Sequence, residues 1–250
     1  MTRTIYINSN VEINGSGLLV QSFNLNKNMN HEIIEEYGNT NFYQVVGEPL
    51  TANCDITCYP ESGTFGNLIQ QLTSHTISND PQRETIQSNL GGLDYALLTS
   101  LKISANLGSI PLATLNFNGA ISAGAPLALS SSSSPISTVL TTESISINSG
   151  DICAQNIDFN WAVPVTNIPK YEENLNYPTG FFGDPVGVAN ISLQGITSFV
   201  SNVESISFGS ISMNFEDIKV ISSGVNQAVG TVGATFNLNF QCSSNNVSFS

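Results

Sequence analysis

The sequence predicts a mainly β protein of two tandem β-sandwich or barrel-like domains, each with one short α-helix. Three observations predict this: period-two alternation of apolar and polar residues along most of the chain, helical spacing in only two places, and the same order of elements in both halves.

The alternation is clearest in Val20-Gln21-Ser22-Phe23-Asn24-Leu25, Ala52-Asn53-Cys54-Asp55-Ile56-Thr57-Cys58, Thr114-Leu115-Asn116-Phe117 and Ala234-Thr235-Phe236-Asn237-Leu238-Asn239-Phe240. Successive side chains of a strand point to opposite faces, so each segment buries one face and wets the other. Trp161, in the alternating stretch 155–163, reads as core for the same reason. Phe65, Leu68, Ile69 and Leu72, and again Ile196, Phe199, Val200 and Val203, follow i, i+3, i+4, i+7 instead, which predicts one amphipathic helix in each half.

The recurrence runs at a shift of about 131 to 136 residues. Residues 20–25 answer to 153–159, Tyr37 to Tyr171, and Gly47-Glu48-Pro49-Leu50 to Gly183-Asp184-Pro185-Val186. A strand follows in each half (51–59; 187–193), then the helix, then closing strands (101–107 and 113–121; 206–211 and 232–240). Residues 75–93 read as an insertion after the first helix, and 216–230 as an extension between the last two strands. Ser130-Ser131-Ser132-Ser133-Ser134-Pro135 has no apolar side chain and reads as a linker, dividing the chain into 1–128 and 129–250. A long hairpin loop inside one large sandwich is the alternative.

Only 10% of the residues are charged, so solubility rests on Ser, Thr, Asn and Gln. The net charge is −13, the acids are spread along the chain and no basic patch occurs, which argues against phosphate-neutralising nucleic-acid binding. The first residues lack the apolar stretch of a secretory signal, and no run of about 18 apolar residues occurs, so folding in a cytoplasm and no membrane partner are expected. Asn14-Gly15-Ser16 matches a glycosylation acceptor, as chance allows in so Asn-rich a chain. Cys54 and Cys58 would lie about 13 Å apart on one strand face, too far to bridge. With Cys153 and Cys242 they are expected to be reduced thiols packed as small apolar groups.

Catalytic chemistry is not expected. His31 and His75 are the two histidines, both expected on the surface, and no Gly-x-Ser-x-Gly elbow is present. Glu35-Glu36, Glu172-Glu173 and Glu216-Asp217 are adjacent acids, which face opposite ways on a strand and make poor dyads. There is no calcium loop, no second ligand pair to accompany Cys54 and Cys58, and no phosphate-cradling Gly-x-x-x-x-Gly-Lys, so no metal or cofactor is expected.

The connections 29–47 and 165–183 exceed the usual few residues, and long connections in a compact domain tend to be functional. Their aromatic residues Tyr37, Phe42, Tyr43, Tyr171, Tyr177, Phe181 and Phe182 suit contacts with a neighbouring subunit or ring. The alternative is that these loops fold back over their own sheet.

The strand at 20–26, the polar stretch 28–36, Tyr37-Gly38-Asn39, the loop to Pro49 and the strand 51–58 together resemble the tail tube (major tail) proteins of long-tailed phages. The resemblance covers nearly the whole chain twice. It implies a structural virion protein whose domains form six-membered rings that stack into a tube, with three two-domain chains completing a pseudo-hexameric ring. It also implies a tail location after assembly in the host cytoplasm, contacts with other tail proteins, and transient passage of DNA through an acidic channel that does not bind it. A neck, terminator or decoration protein of the same fold, or a carbohydrate-binding or adhesin-like module, are the other expectations.

Overall fold

The computed structural model describes residues 2–4, 10–28, 31–35, 42–46, 51–60, 64–78, 82–88, 91–120, 138–148, 152–168, 180–183, 187–196, 198–226 and 235–250. After β1 (Thr2–Thr4), β2 (Asn10–Ile13) turns into β3 (Ser16–Asn28) through Asn14-Gly15. Their φ values of 52° and 77° give the left-handed two-residue turn that this dipeptide favours. A hairpin of β4 (His31–Glu35) and β5 (Phe42–Val46) follows, and β6 (Thr51–Tyr59) then returns along β3. Next come α1 (Phe65–Ile77), β7 (Glu84–Ser88), the long β8 (Gly91–Asn106) and β9 (Leu112–Ala120).

The second half begins with β10 (Thr138–Leu140), which pairs with β1, then β11 (Ile145–Ile147), β12 (Ile152–Ala154) and β13 (Asn156–Ala162). A hairpin of β14 (Val165–Ile168) and β15 (Gly180–Gly183) leads to β16 (Val188–Ile196), which runs back along β13. The chain continues with β17 (Ser205–Phe208), β18 (Ile211–Phe215), β19 (Lys219–Asn226), β20 (Thr235–Ser243), a 3-10 turn at Ser244–Asn246 and β21 (Val247–Phe249).

Six strands close a barrel in the order β8-β7-β2-β3-β6-β9, with β9 returning to β8. Length lets β8 do more than close it. Its first residues pair with β7, whereas residues 100–106 pair with β13, so the sheet runs on through β13, β16, β20 and β19. A second sheet has the order β12-β11-β17-β18-β21.

The alternation read in the sequence is the burial pattern. Ala52, Cys54, Ile56 and Cys58 of β6 are enclosed, as are Leu115 and Phe117 of β9, Ile157, Phe159 and Trp161 of β13, and Leu238 and Phe240 of β20. Each such aliphatic or aromatic side chain contributes about 1.5–3 kcal/mol relative to exposure. Trp161 is core, as its strand position indicates, and its indole N–H donates to the carbonyl of Ser244 at 3.1 Å.

Four expectations are corrected. Residues 216–230 are not simply an extension between the last two strands, because they hold β19, which pairs with β20. The helix expected over 196–203 does not form: Ile196 ends β16, and residues 198–204 are irregular, so α1 is the one α-helix among the described residues. Residues 75–93 are not a peripheral insertion, because they hold the end of α1, all of β7 and the start of β8, two strands of the barrel. His75 is not a free surface residue, since its Nδ1 lies 2.5 Å from a carboxylate oxygen of buried Glu84, whose other oxygen accepts from the Asn14 side chain. The serine run and the expected boundary at 128/129 lie outside the described residues.

Candidate assembly surface

Eight strands form one continuous series, β3-β6-β9-β8-β13-β16-β20-β19, in which every neighbouring pair is hydrogen-bonded. The face turned away from the core is polar along the series. One row of register partners reads Ser22, Thr57, Thr114, Lys102, Asn160, Asn190, Gln241 and Lys219.

Cross-strand hydrogen bonds stiffen this face. The Asn116 amide donates to Ser100 Oγ at 2.6 Å, the Asn239 amide to Ser222 Oγ at 2.7 Å, and the Thr57 and Thr114 hydroxyls lie 3.4 Å apart. Over β8, β13, β16, β20 and β19 it forms an open hollow of about 680 Å³ lined by Lys102, Asp158, Asn160, Asn190 and Asn239 among others, with the exposed Ile221 of β19 as an apolar exception. Asp55 and Asp158 here stand against Lys102 and Lys219, so amides and hydroxyls dominate among the described side chains of this face.

The series has two open ends. Among the described residues β19 is bonded on one side, to β20, and residues 22–28 of β3 are bonded on one side, to β6. Unpaired backbone at a sheet edge is a template for another strand. β19 also carries apolar side chains into solvent: Ile221 is 58% exposed and Val225 62%. Phe199 is exposed beside it, with its ring 6.2 Å from that of Phe236, the register partner of Val225.

Of the aromatic residues expected to make contacts, Phe42 and Tyr43 lie on β5, opposite Glu35 and Ile34 of β4. Phe181 and Phe182 lie on β15, opposite Asn167 and Thr166 of β14. Tyr37, Tyr171 and Tyr177 lie outside the described residues. Both long connections therefore contain antiparallel two-stranded ribbons rather than plain loops. Edge residues such as Val225 were not singled out from the sequence, because an apolar residue on an alternating strand looks the same whether its face is covered or bare.

The cysteines are free: Cys54, Cys58 and Cys242 are buried, whereas Cys153, expected to pack as a small apolar group like them, is exposed. Burial pushes the Cys54 and Cys58 thiols up to about 12, with Asp55 adding to the first, and Cys242 to about 11. Thiols held protonated in this way are poor nucleophiles. Among the described residues no three His, Cys, Asp or Glu side chains converge as a metal site would require, and no helix is long and apolar enough to cross a membrane. No protein-family model matches the chain, and no curated protein matches it in sequence.

Proposed function

We propose that the chain is a structural virion protein, a tail tube subunit in which two tandem copies of one β domain occupy neighbouring places in a ring, three chains completing a pseudo-hexamer. The observation that carries this reading is a strand-by-strand correspondence between the two halves. The order β8-β7-β2-β3-β6-β9 in the first is matched by β18-β17-β11-β12/β13-β16-β20-β19 in the second, where β12 and β13, in different sheets, together take the place of β3, and β18 and β19 together that of β8, which pairs with both β7 and β9.

Side chains correspond along with the strands. The cross-strand pairs Phe23↔Ile56 and Leu25↔Cys54 have counterparts in Ile157↔Leu193 and Phe159↔Ile191. Ile56↔Leu115 and Cys54↔Phe117 have counterparts in Leu193↔Leu238 and Ile191↔Phe240. Local irregularities correspond too: the register slips between Leu98 and Ser100 of β8 against β9, and between Val220 and Ser222 of β19 against β20. Bulges disrupt a ladder locally, so two at matching places favour duplication over chance.

Asn14 and Asn148 correspond as well. Both have positive φ, 52° and 50°, and the side-chain oxygen of each accepts a backbone N–H from the strand paired with the one it ends, Thr85 of β7 at 2.9 Å and Ser205 of β17 at 3.3 Å. The hairpins β4–β5 and β14–β15 leave the domain at matching points, between β3 and β6 and between β13 and β16. On this reading they reach the adjacent ring and carry Tyr37, Phe42, Tyr43, Tyr171, Tyr177, Phe181 and Phe182 to it.

The polar face of the eight-strand series lines the channel. With few cations on it, phosphates find little to bind and DNA passes without being held. The acidic side chains, expected on the wall, act in this refinement through the field of the whole molecule.

Negative-stain microscopy of the purified chain tests the proposal. Tubes of uniform width, or six-lobed rings of three chains, are the expected result, and rings that never stack would point instead to a neck or terminator protein. A monodisperse monomer at every concentration up to the solubility limit would overturn it.

A further inference from the structure

We propose that the free edge of β19 in one chain pairs antiparallel with residues 22–28 of β3 in a second copy, with Val225 opposite Leu25, Gly224 opposite Asn26 and Ser223 opposite Lys27. This rests on the tandem-copy reading above and adds to it the partner, the two edges and the register.

The argument begins with a junction inside the chain. Residues 100–106 of β8 pair with β13, placing Leu101 opposite Trp161, Lys102 opposite Asn160 and Ile103 opposite Phe159. In the strand correspondence β19 stands where this part of β8 stands: each lies beside the closing strand of its half, β20 or β9, across a register slip at the same place. β3 likewise stands where β13 stands, each lying beside its return strand, β6 or β16.

Among the described residues, one molecule therefore carries a joined pair of edges in the middle of the strand series and an unjoined pair of the same two kinds at its ends. An edge that is filled at one place by a given strand is shaped for the same strand at its equivalent place. Carrying the β8·β13 register across the correspondence gives the pairing stated.

Exposure agrees with this. Ile103, the counterpart of Val225, is fully buried at the internal junction, whereas Val225 is 62% exposed, and Phe23 and Leu25 on the opposite edge are only partly covered. Pairing would bring Val225 onto Leu25 and continue the polar face without interruption, since Gly224 and Asn26 lie on the side of Lys102 and Asn160. Because the two edges differ, the contact is head-to-tail, and repeated with a closing rotation it yields a ring and leaves neither of these two edges bare.

The test places cysteines across the contact in the full chain, with Cys153→Ser to remove the exposed native thiol. Asn26→Cys and Gly224→Cys are combined, and a side chain at Gly224 meets no atom within 4 Å. Lys102→Cys with Asn160→Cys, the same register within one chain, is the internal reference. Air oxidation with copper should link Asn26→Cys/Gly224→Cys chains into a reducible ladder of dimers and higher multimers on a denaturing gel. Each single substitution should give no ladder beyond a dimer, and Asn24→Cys/Gly224→Cys, out of register, should lose most of it. If the first pair disturbs folding, as circular dichroism would reveal, Leu25→Cys with Val225→Cys reads the same register from the core side. Rings or tubes in the microscope without in-register cross-links overturn this pairing and leave the tube reading standing. A chain that neither assembles nor cross-links overturns both.

Discussion

The three buried thiols have an energetic consequence that can be signed. In the unfolded chain a thiol ionises near its ordinary value of 9.0, whereas folded Cys58 keeps its proton until about 12 because burial disfavours the thiolate. Between these limits the folded state binds more protons than the unfolded one, so stability is fully present below pH 9 and falls as pH rises toward 12. The slope approaches about 1.4 kcal/mol per pH unit for each such group. Urea midpoints should therefore decline from pH 9 to 11, and Cys58→Val, which fills the site without a titrating proton, should decline less steeply. Identical slopes in the two proteins would refute the assignment. That these cysteines are small core groups was legible in the sequence, since Cys54 and Cys58 share the parity of Ala52 and Ile56. The role of His75 was not, because its partner Glu84 is brought to it by a helix end and a strand whose packing no local pattern records.

Strands were legible because alternation is a direct image of one covered face and one wet face. Barrel-like character was legible too, but the strand order and the way the barrel closes were not, because closure depends on which strand meets β8, and β8 meets β7, β9 and β13 along its 16 residues. The second helix misled for a physical reason. Ile196, Val200 and Val203 are buried and helically spaced, but residues 197–204 are all that join β16 to β17, whereas residues 60–83 lie between β6 and β7. A short connection can bury the same apolar residues without completing a helix. Closure also sets a steric demand at Gly119, where an added Cβ would lie 2.2 Å from the carbonyl oxygen of Tyr95 on the neighbouring strand. Gly119→Ala should cost about 3 kcal/mol, because backbone rather than a movable side chain must give way. Gly17→Ala, in open space, should stay within about 0.5 kcal/mol of the parent. Equal denaturant midpoints for the two variants would show that β8 and β9 are not held as close as described.

At the scale of the molecule, the halves are held together by a surface with the composition of a core. Leu101 against Trp161, Ile103 against Phe159 and Ala105 against Ile157 are cross-strand pairs, and all six side chains are buried. α1 of the first half packs on β18 and β21 of the second, and Gln70 accepts the backbone N–H of Phe249 at 2.6 Å. Neither contact uses residues 121–137, so covalent continuity contributes effective concentration but none of these contacts. Cutting the chain should then leave a cohesive pair. Fragments 1–128 and 129–250 produced in one cell should co-purify as a 1:1 complex whose mass by light scattering equals that of the intact chain. Produced alone, each would expose buried residues, Leu101 and Ile103 in one and Phe159 and Trp161 in the other, and should self-associate or precipitate. Lys102→Cys with Asn160→Cys, now on separate fragments, should join them by an intermolecular disulfide. Two fragments that fold and remain monomeric when mixed would mean that the β8·β13 junction is too weak to hold neighbouring domains, and would remove the basis for expecting the same kind of contact between chains.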